Sequence, residues 1–389
     1  MRGVTRQSGD KMMKTDVLVI GGGIAGVAVA YYLATGGADV LLVEAHDLNT
    51  QASGSNAGSL HLQVQHPEFV SLGPDWARAF GPTLRLMQAS LEIWQGLSAE
   101  LGVDLEVKQS GGLVVATTPE HMRSIAAKAD IERGFGVPME MLDRAGLRDL
   151  APYLTEDAIG GGFCPVEGKA NPLRATPAFA AAAVRQGARI HTQTTVTAME
   201  RQGAGYLVQT TRGPITAGRV VNAAGAAAAQ VASMLGLFIG LEGVPLQVTV
   251  TEPMAPLIPH LVYAASGKFT AKQAPNGTCI IGGGWMARTR ANGMMVTDPA
   301  NMTANMVRAA GVIPALAQMR AVRSWTAMVN GTPDWRPIIG EAPGAPGFYF
   351  CLFPWMGFSA GPMTARIVAD LVLGQPPRLS LQGVSVLLD

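Results

Sequence analysis

The feature that most constrains this chain is a glycine-rich turn directly after its first apolar run. Val17–Ile20 is an uninterrupted stretch of aliphatic residues, which is typical of a strand covered on both faces. Gly21, Gly23 and Gly26 follow with GxGxxG spacing, and the apolar run Ile24–Leu33 predicts a helix. The first glycine permits a tight turn, the second lets backbone approach a pyrophosphate, and the third lets the helix pack on the strand. This order predicts a βαβ unit whose helix N-terminus binds a dinucleotide.

A second strand and a terminal acid complete the unit. Gly36 and Gly37 end the predicted helix, and Asp39–Glu44 has the pattern of a strand with Glu44 at its carboxyl end. A carboxylate there accepts hydrogen bonds from the ribose hydroxyls and repels a 2′-phosphate. We therefore expect a dinucleotide other than NADP, and the βαβ unit alone does not decide between FAD and NAD.

Composition excludes several classes of function. The chain has 389 residues, of which 48% are apolar, so it can bury a large core and is expected to form two intertwined domains. Charged residues make up 15%, the formal net charge is +1, and no run of Lys and Arg suggests nucleic acid as a partner. Cys164, Cys279 and Cys351 are far apart and form no CxxC pair, which predicts no disulfide framework and no metal site. A reduced, cytoplasmic setting fits this cysteine usage.

Neither the N-terminus nor the charge-poor stretches predict a membrane span. Residues 1–12 are expected to be a flexible tail without the apolar segment of a secretory signal, and Met12 or Met13 is an alternative start of translation. Residues 17–38, 220–241 and 342–365 are long enough to cross a bilayer, but Gly, Pro or Asn residues interrupt each of them. We predict no transmembrane segment and leave peripheral membrane association open.

Residues 16–44 and four later segments resemble the superfamily of D-amino-acid oxidase, glycine oxidase and sarcosine oxidase. The segments are residues 51–58 (QASGSNAG), 167–197, 220–225 (VVNAAG) and 323–374, the last including Trp355–Pro362 before a helix. The resemblance implies that the dinucleotide is FAD and that this helix points its N-terminus at the flavin. It also implies noncovalent FAD, because no Cys lies where monomeric sarcosine oxidases attach their flavin.

The residues that match the cofactor motifs of this superfamily form one set of candidates. The resemblance implies that FAD contacts Gly21, Gly23, Ile24, Ala25, Gly26, Glu44, Ala45, Ser53, Asn56, Ala57, Gly58, Val196, Ala223, Ala224, Gly225, Gly331, Gly357, Phe358, Ser359, Ala360 and Gly361.

The resemblance implies an α/β fold in which a Rossmann-type FAD-binding domain is intertwined with an α+β substrate domain. We expect residues 13–60, 160–240 and 325–389 to form the FAD-binding domain, and residues 61–159 and 241–324 to form the substrate domain with a mixed, mainly antiparallel sheet. Within the substrate domain, Gly112–Thr117 and Cys279–Gly283 have the composition of strands. Leu84–Leu101 has helical spacing, with Trp94 expected in the core.

The substrate-binding residues are less defined than the cofactor residues. Glycine oxidase-like members carry an Arg for the substrate carboxylate where this chain has Val329, so the anchor is absent or supplied elsewhere. The candidates are Lys272, Arg288, Arg290 and Arg336, with Arg288 and Arg290 favoured because they follow a substrate-domain strand. His61 is a further candidate beside the flavin. Each of these side chains could instead be structural or a solvated surface charge.

The resemblance implies an oxidoreductase that oxidises the C–N bond of a small amine or amino acid. Flavin N5 accepts the hydride, and the imine product then hydrolyses. An alternative is the catalytic FAD subunit of a multi-subunit amino-acid, imino-acid or opine dehydrogenase, which passes electrons to partner subunits or a respiratory acceptor. Two further alternatives are a flavin-bound binding or assembly protein without turnover and an NAD-dependent dehydrogenase. The sequence leaves open the substrate, the electron acceptor and the oligomeric state.

Overall fold

The computed structural model describes residues 12–385 and 387, so most of the predicted N-terminal tail, residues 1–11, lies outside the described residues. The strands are β1 (Met13–Ile20), β2 (Val40–Val43), β3 (Ser59–Leu60), β4 (Gly112–Ala116), β5 (Glu140–Asp143), β6 (Gly160–Cys164), β7 (Gly168–Lys169), β8 (Arg189–His191), β9 (Val196–Gln202), β10 (Gly205–Thr210), β11 (Gly213–Asn222), β12 (Glu242–Pro253), β13 (Leu261–Ala264), β14 (Gly267–Gln273), β15 (Thr278–Gly282), β16 (Arg288–Thr289), β17 (Met295–Val296), β18 (Ala321–Gly331), β19 (Ile338–Glu341) and β20 (Phe348–Leu352). The helices are α1 (Ile24–Thr35), α2 (Ala52–Ser55), α3 (His66–Leu101), α4 (Pro119–Gly134), α5 (Arg144–Leu150), α6 (Pro172–Arg185), α7 (Ala228–Ser233), α8 (Pro299–Val312) and α9 (Gly357–Val372).

The first sheet carries the predicted βαβ unit. Its strand order is β19-β20-β11-β1-β2-β8, and the β9–β10 hairpin joins it through β11. The pairs from β20 to β8 are all parallel, as strands joined by helical crossovers must be, whereas β19 runs antiparallel at the edge. Helix α1 lies between β1 and β2 in sequence and ends at Thr35, before Gly37 with its φ of 85°. The carboxyl ends of β1, β2 and β11 therefore meet at one edge of this sheet.

The second sheet is mixed and mainly antiparallel. Its order is β18-β12-β15-β14-β13-β4-β6-β5, and β4 with β13 is its parallel pair. The predicted strands at Gly112–Thr117 and Cys279–Gly283 correspond to β4 and β15 of this sheet. This architecture confirms the predicted fold class, an α/β fold with a Rossmann-type unit and a second α+β part.

The long helix α3 connects the two sheets. It begins at His66, well before the predicted Leu84, and Gly73 breaks its helical geometry with a φ of 84°. Trp94 is fully buried, as expected for a core residue, and its Nε1 donates a hydrogen bond to the carbonyl of Ser359 at 3.0 Å. This bond fixes α3 against the start of α9.

The predicted domain boundaries remain a proposal. Strand β6 pairs with β4 and β5, and β18 pairs with β12, so both lie in the second sheet although the predicted FAD-binding segments include residues of each. Strand β3 pairs with β7, which brings residues 59–60 beside residues 168–169.

Within the described part of the chain, no helix combines the length and apolar character needed to cross a bilayer.

Candidate active site

A cavity of ≈ 750 Å³ lies between the two sheets. One end is lined by the carboxyl ends of β1, β2 and β11 with the start of α1, and the other by residues of β12, β14, β15 and β18 and the start of α9. Elongated clefts between two structural layers are common sites for large cofactors and their substrates.

The glycine turn leaves no space for side chains at two of its positions. Gly21 has a φ of 111°, and a Cβ atom there would lie 2.5 Å from the carbonyl oxygen of Ala223. A Cβ atom on Gly26 would overlap the carbonyl oxygen of Gly21, so Gly26 lets α1 pack against the turn without lining the cavity itself. The backbone amides at the start of α1 are thereby held at the cavity edge, where an anion is stabilised.

Glu44 lies at the end of β2 and lines the cavity. Its Oε2 accepts a hydrogen bond from the Gly22 amide at 2.6 Å, and its Oε1 accepts one from the His46 amide at 2.8 Å. The carboxylate is thus fixed beside the glycine turn, as a ribose ligand must be.

The loop after β2 is shaped by its own side chains. Ser53 Oγ accepts a hydrogen bond from the Ile24 amide at 2.9 Å, which gives α1 a cap from a distant part of the chain. Asn56 Oδ1 accepts a hydrogen bond from the Gly58 amide at 2.7 Å, and its Nδ2 donates to the Ser53 carbonyl at 2.6 Å. Ser53, Asn56 and Ala57 line the cavity, whereas Gly58 packs against the carbonyl of Ala170 instead.

Most of the predicted cofactor residues line this cavity, and four do not. Those that line the cavity are Gly21, Gly23, Ile24, Ala25, Glu44, Ala45, Ser53, Asn56, Ala57, Val196, Ala223, Ala224, Gly225, Gly357, Phe358, Ser359 and Gly361. Gly26, Gly58, Gly331 and Ala360 lie behind this surface, and a Cβ atom on Gly331 would collide with the Trp355 ring.

The start of α9 closes the far end of the cavity. Ser359 Oγ accepts a hydrogen bond from the His61 amide at 2.8 Å and donates to the Ser59 carbonyl at 3.1 Å. Trp335 and Trp355 stack with ring centroids 5.1 Å apart, and both line the cavity. Both tryptophans have positive φ values, 68° and 59°, a strained conformation that concentrates at functional sites.

His61 lines this far end, and Lys272 lies behind it. His61 Nδ1 is 2.7 Å from the Tyr263 hydroxyl, and burial together with the charge of Lys272 lowers the pKa of His61 to about 3. The Lys272 ammonium is buried and donates to Ser59 Oγ at 2.7 Å. Burial, with a smaller effect of Lys169, lowers the pKa of Lys272 to about 7. His61 is therefore neutral near pH 7.

The structure does not bring the three predicted arginines to the cavity. Arg288 lies on the exposed strand β16 and pairs with Asp298 at 2.7 Å, and Arg290 is exposed just beyond it. Arg336 pairs with Asp334 at 3.0 Å. Val329, at the position where an arginine was expected, does line the cavity.

Several residues that line the cavity were not among the predicted site residues. Lys268 is the only lysine or arginine among the described residues that lines the cavity. Glu68 lines the cavity as well. Burial raises the pKa of the Glu68 carboxyl, and Lys268 opposes this shift. Tyr263 also lines the cavity, and its hydroxyl lies 3.1 Å from both carboxylate oxygens of Glu167. Glu167 could have been predicted as a site residue, because it is a charged residue at the start of one of the matched segments.

Comparisons with known proteins agree with this geometry. The family model described as FAD dependent oxidoreductase matches residues 16–371, which is nearly the whole chain. The chain belongs to this family. It is therefore an FAD-dependent oxidoreductase, and the predicted superfamily and cofactor are confirmed.

Similar proteins cover the chain almost end to end. Glycine oxidase of Geobacillus kaustophilus is 28% identical over 366 residues, which cover 92% of each chain, and its crystal structure has a TM-score of 0.84. An opine oxidase subunit of Rhizobium meliloti is 26% identical over 347 residues, covering 87% of this chain and 88% of that protein. The crystal structure of L-proline dehydrogenase from P. horikoshii is 26% identical with a TM-score of 0.85, covering 96% of this chain and 97% of that one.

The cavity fits FAD on observations of its own. The turn at Gly21 leaves backbone exposed where a Cβ atom would collide, the start of α1 offers amides, and Glu44 offers a fixed carboxylate. These three features suit a pyrophosphate and a ribose, while the start of α9 at the other end suits the flavin ring. The assignment of individual residues to FAD atoms remains a proposal.

Proposed function

We propose that this protein oxidises the C–N bond of a small amine or amino acid and yields an imine that hydrolyses. The observation that carries the proposal is the continuous cavity that joins the dinucleotide cradle to a chamber lined by His61, Tyr263, Trp335 and Trp355. FAD itself accepts the electrons of the substrate, so the chain needs no nucleophile of its own. Its side chains orient the substrate, exclude water and handle the amine proton.

The charged residues of the cavity favour a small substrate that carries both a carboxylate and an ammonium group. Among the described residues, Lys268 is the only lysine or arginine that lines the cavity. We therefore propose that Lys268 contacts a substrate carboxylate in place of the absent arginine. Glu68 provides the opposite charge for a substrate ammonium. The aromatic walls favour a compact apolar body between these two groups.

FAD is proposed to be bound without a covalent link. The three cysteines are buried and none lines the cavity, so no thiol is positioned to attach the flavin. Acid precipitation of the unfolded protein should leave a colourless pellet and a yellow supernatant.

A screen under anaerobic conditions tests the reaction class. The purified flavoprotein is mixed in turn with D- and L-amino acids, N-methyl amino acids, cyclic imino acids, opines and amines without a carboxylate, while the visible flavin absorbance is recorded. We expect at least one of these compounds to bleach the flavin. Bleaching by none of them, with dithionite still reducing the flavin fully, would contradict the proposal and favour a flavin-bound protein without turnover.

A second candidate is the catalytic subunit of a larger dehydrogenase. The similarity to the opine oxidase subunit of Rhizobium meliloti, over most of both chains, favours it. In this form the electrons pass to partner subunits or a respiratory acceptor, and the chemistry at the cavity is unchanged.

A further inference from the structure

A line of hydrogen bonds leads from the cavity wall into the protein interior. His61 Nδ1 lies 2.7 Å from the Tyr263 hydroxyl, which lies 3.1 Å from each carboxylate oxygen of Glu167. His61 and Tyr263 line the cavity, and Glu167 is fully buried behind them. The three residues come from three separate elements: the loop after β3, strand β13 and the loop after β6.

Glu167 lies in a space that fits a carboxylate. Its oxygens accept hydrogen bonds from the Leu62 amide at 2.5 Å, the Gln63 amide at 2.8 Å and Gln63 Nε2 at 2.8 Å. A Cβ atom on Gly112 would collide with Oε2, so the glycine makes room for the group. Among the described residues, no cation forms an ion pair with Glu167. The direct donors to this buried carboxylate are neutral, and the charge of nearby Lys128 stabilises it further.

With Glu167 ionised, this arrangement fixes the direction of every bond in the line. All other contacts of Glu167 are donors, so the single Tyr263 proton is donated to Glu167. The Tyr263 oxygen must then accept from His61, which places the imidazole proton on Nδ1. His61 Nε2 is consequently unprotonated, and it has no hydrogen-bond partner among the described residues although the ring lines the cavity.

We propose that His61, Tyr263 and Glu167 form a relay that takes the proton from the substrate ammonium. The ammonium N–H bond breaks as His61 Nε2 gains a proton, His61 Nδ1 gives its proton to the Tyr263 oxygen, and the Tyr263 hydroxyl proton moves to Glu167. The balance is one ammonium and one carboxylate converted into one neutral amine and one carboxylic acid. Tyr263 ends as a neutral phenol again, and His61 ends neutral with its proton on Nε2 instead of Nδ1. This proposal rests on the proposed function, because it supplies the neutral amine that amine oxidation requires.

The surroundings favour this direction of transfer. Burial raises the pKa of Glu167, which makes it a better proton acceptor than an exposed carboxylate, and burial also keeps Tyr263 protonated by raising its pKa well above the usual value. Transfer removes two opposite charges from a buried site, where each is costly. The other titratable groups near the relay are Lys128 and Glu132 of α4, Cys164 of β6 and Lys272 of β14.

The tautomer of His61 provides a test that needs no substrate. In the FAD-loaded protein, NMR of histidine labelled at its ring nitrogens should show His61 neutral with the proton on Nδ1. Tyr263→Phe should lose or alter this preference. An Nε2–H tautomer of His61 in the unaltered protein would overturn the relay, whatever the outcome of the amine screen.

The pH dependence of flavin reduction provides the second test. With an amine found in the screen, Glu167→Gln and Tyr263→Phe should each lower the second-order rate of anaerobic reduction at pH 7 by about 10²-fold or more. The loss should disappear as the pH approaches the pKa of the amine itself, because the amine then arrives already neutral. A loss that is the same at every pH indicates a merely structural role and would contradict the proposal.

Tyr153→Phe is the matched control. It removes a buried Tyr–His hydrogen bond of the same type, 2.9 Å from Tyr153 to His260, at a place that does not line the cavity. We expect this variant to keep both the His61 tautomer and the pH profile of the unaltered protein. Should Glu167→Gln fail to fold, Tyr263→Phe carries the test, because Glu167 keeps its three bonds from Leu62 and Gln63.

Discussion

Glu44 shows how much one residue can contribute to cofactor choice. Its carboxylate accepts hydrogen bonds from the Gly22 and His46 amides and lies at the cavity edge, so we propose that it offers an oriented acceptor to a ribose hydroxyl. Hydrogen bonds to a charged group contribute about 1.5–3 kcal/mol each. In the same proposal, a carboxylate at this position disfavours a 2′-phosphate and so selects against NADP.

We predict that Glu44→Gln weakens FAD binding by about tenfold to a hundredfold, because one charged acceptor is lost. Fluorescence titration of the apoprotein with FAD measures this change. Glu200→Gln, at an exposed position of β9 that does not line the cavity, should bind FAD as the unaltered protein does. Equal affinities for the two variants would show that Glu44 does not contact the cofactor.

Lys272 gives the stability a predicted pH dependence. Its pKa is about 7 in the folded protein, whereas an unfolded lysine has a pKa of about 10.4. Between these values the unfolded chain binds one more proton, so the free energy of unfolding rises with pH by up to about 1.4 kcal/mol per pH unit from this residue. Lys272→Met should remove that slope between pH 7 and the unfolded pKa.

Denaturant unfolding at saturating FAD and several pH values measures the slope. Lys108→Met, which removes an exposed lysine, serves as the control and should leave the pH dependence unchanged. An unchanged slope in Lys272→Met would mean that Lys272 keeps its proton in the folded protein.

Residues near each other in sequence were predictable, and those that meet only through folding were not. The glycine turn and Glu44 lie within one βαβ unit, where spacing carries the information. Tyr263 and Glu167 are far apart along the chain, and no local pattern indicates that β13 brings them together. Arg288 was favoured for following a strand, yet β16 points it to solvent and to Asp298.

At the scale of elements, α1 depends on how closely it approaches β1. Gly26 faces the Gly21 carbonyl so tightly that any side chain must displace the helix. We predict that Gly26→Ala lowers the free energy of unfolding by about 1–3 kcal/mol and weakens FAD binding, since the amides at the start of α1 move. Thermal unfolding and FAD titration measure the two effects.

Gly96→Ala is the control for this substitution. Gly96 lies inside α3, is exposed, and a Cβ atom there would meet nothing within 4 Å. We expect it to stabilise the protein by about 0.5–1 kcal/mol, because alanine is the better helix former. Similar destabilisation by both substitutions would argue against a special role of the α1–β1 approach.

Element existence was easier to predict than element limits. The strands β1, β2, β4 and β15 appear where apolar runs predicted them, and both faces of β2 and β4 are buried. Helix α3 begins at His66 rather than Leu84, and it consists of two helical segments that meet at a kink at Gly73, where the periodic pattern is interrupted. Contacts between α3 and α9 stabilise this helix beyond what its local sequence favours.

At the scale of the whole molecule, two sheets enclose one cavity. The first sheet is assembled from distant parts of the chain, and the second contributes β12, β14, β15 and β18 to the chamber. The glycine motif predicted β1 and β2 of the first sheet, because the local spacing of a βαβ unit carries that information. The membership of β6 and β18 in the second sheet depends on long-range pairing, which motifs do not record.

Two forms of the protein, a single chain and a subunit of a larger enzyme, are expected to use different electron acceptors. If the chain acts as a subunit, flavin that an amine has reduced anaerobically should be reoxidised rapidly by an artificial dye, with little peroxide formation in air. If it acts alone as an oxidase, each turnover in air should release peroxide. Peroxide assay and dye assay on the same preparation, with size analysis for co-purified chains, separate the two forms.

The central claim is that the cavity between the two sheets holds FAD. Titration of the cofactor-free protein with FAD, followed by calorimetry and the visible spectrum, tests it most directly, with NAD as the competing ligand. We predict saturable binding of one FAD per chain, a protein-bound flavin spectrum and no displacement by NAD. A colourless protein that takes up no added FAD would contradict the account.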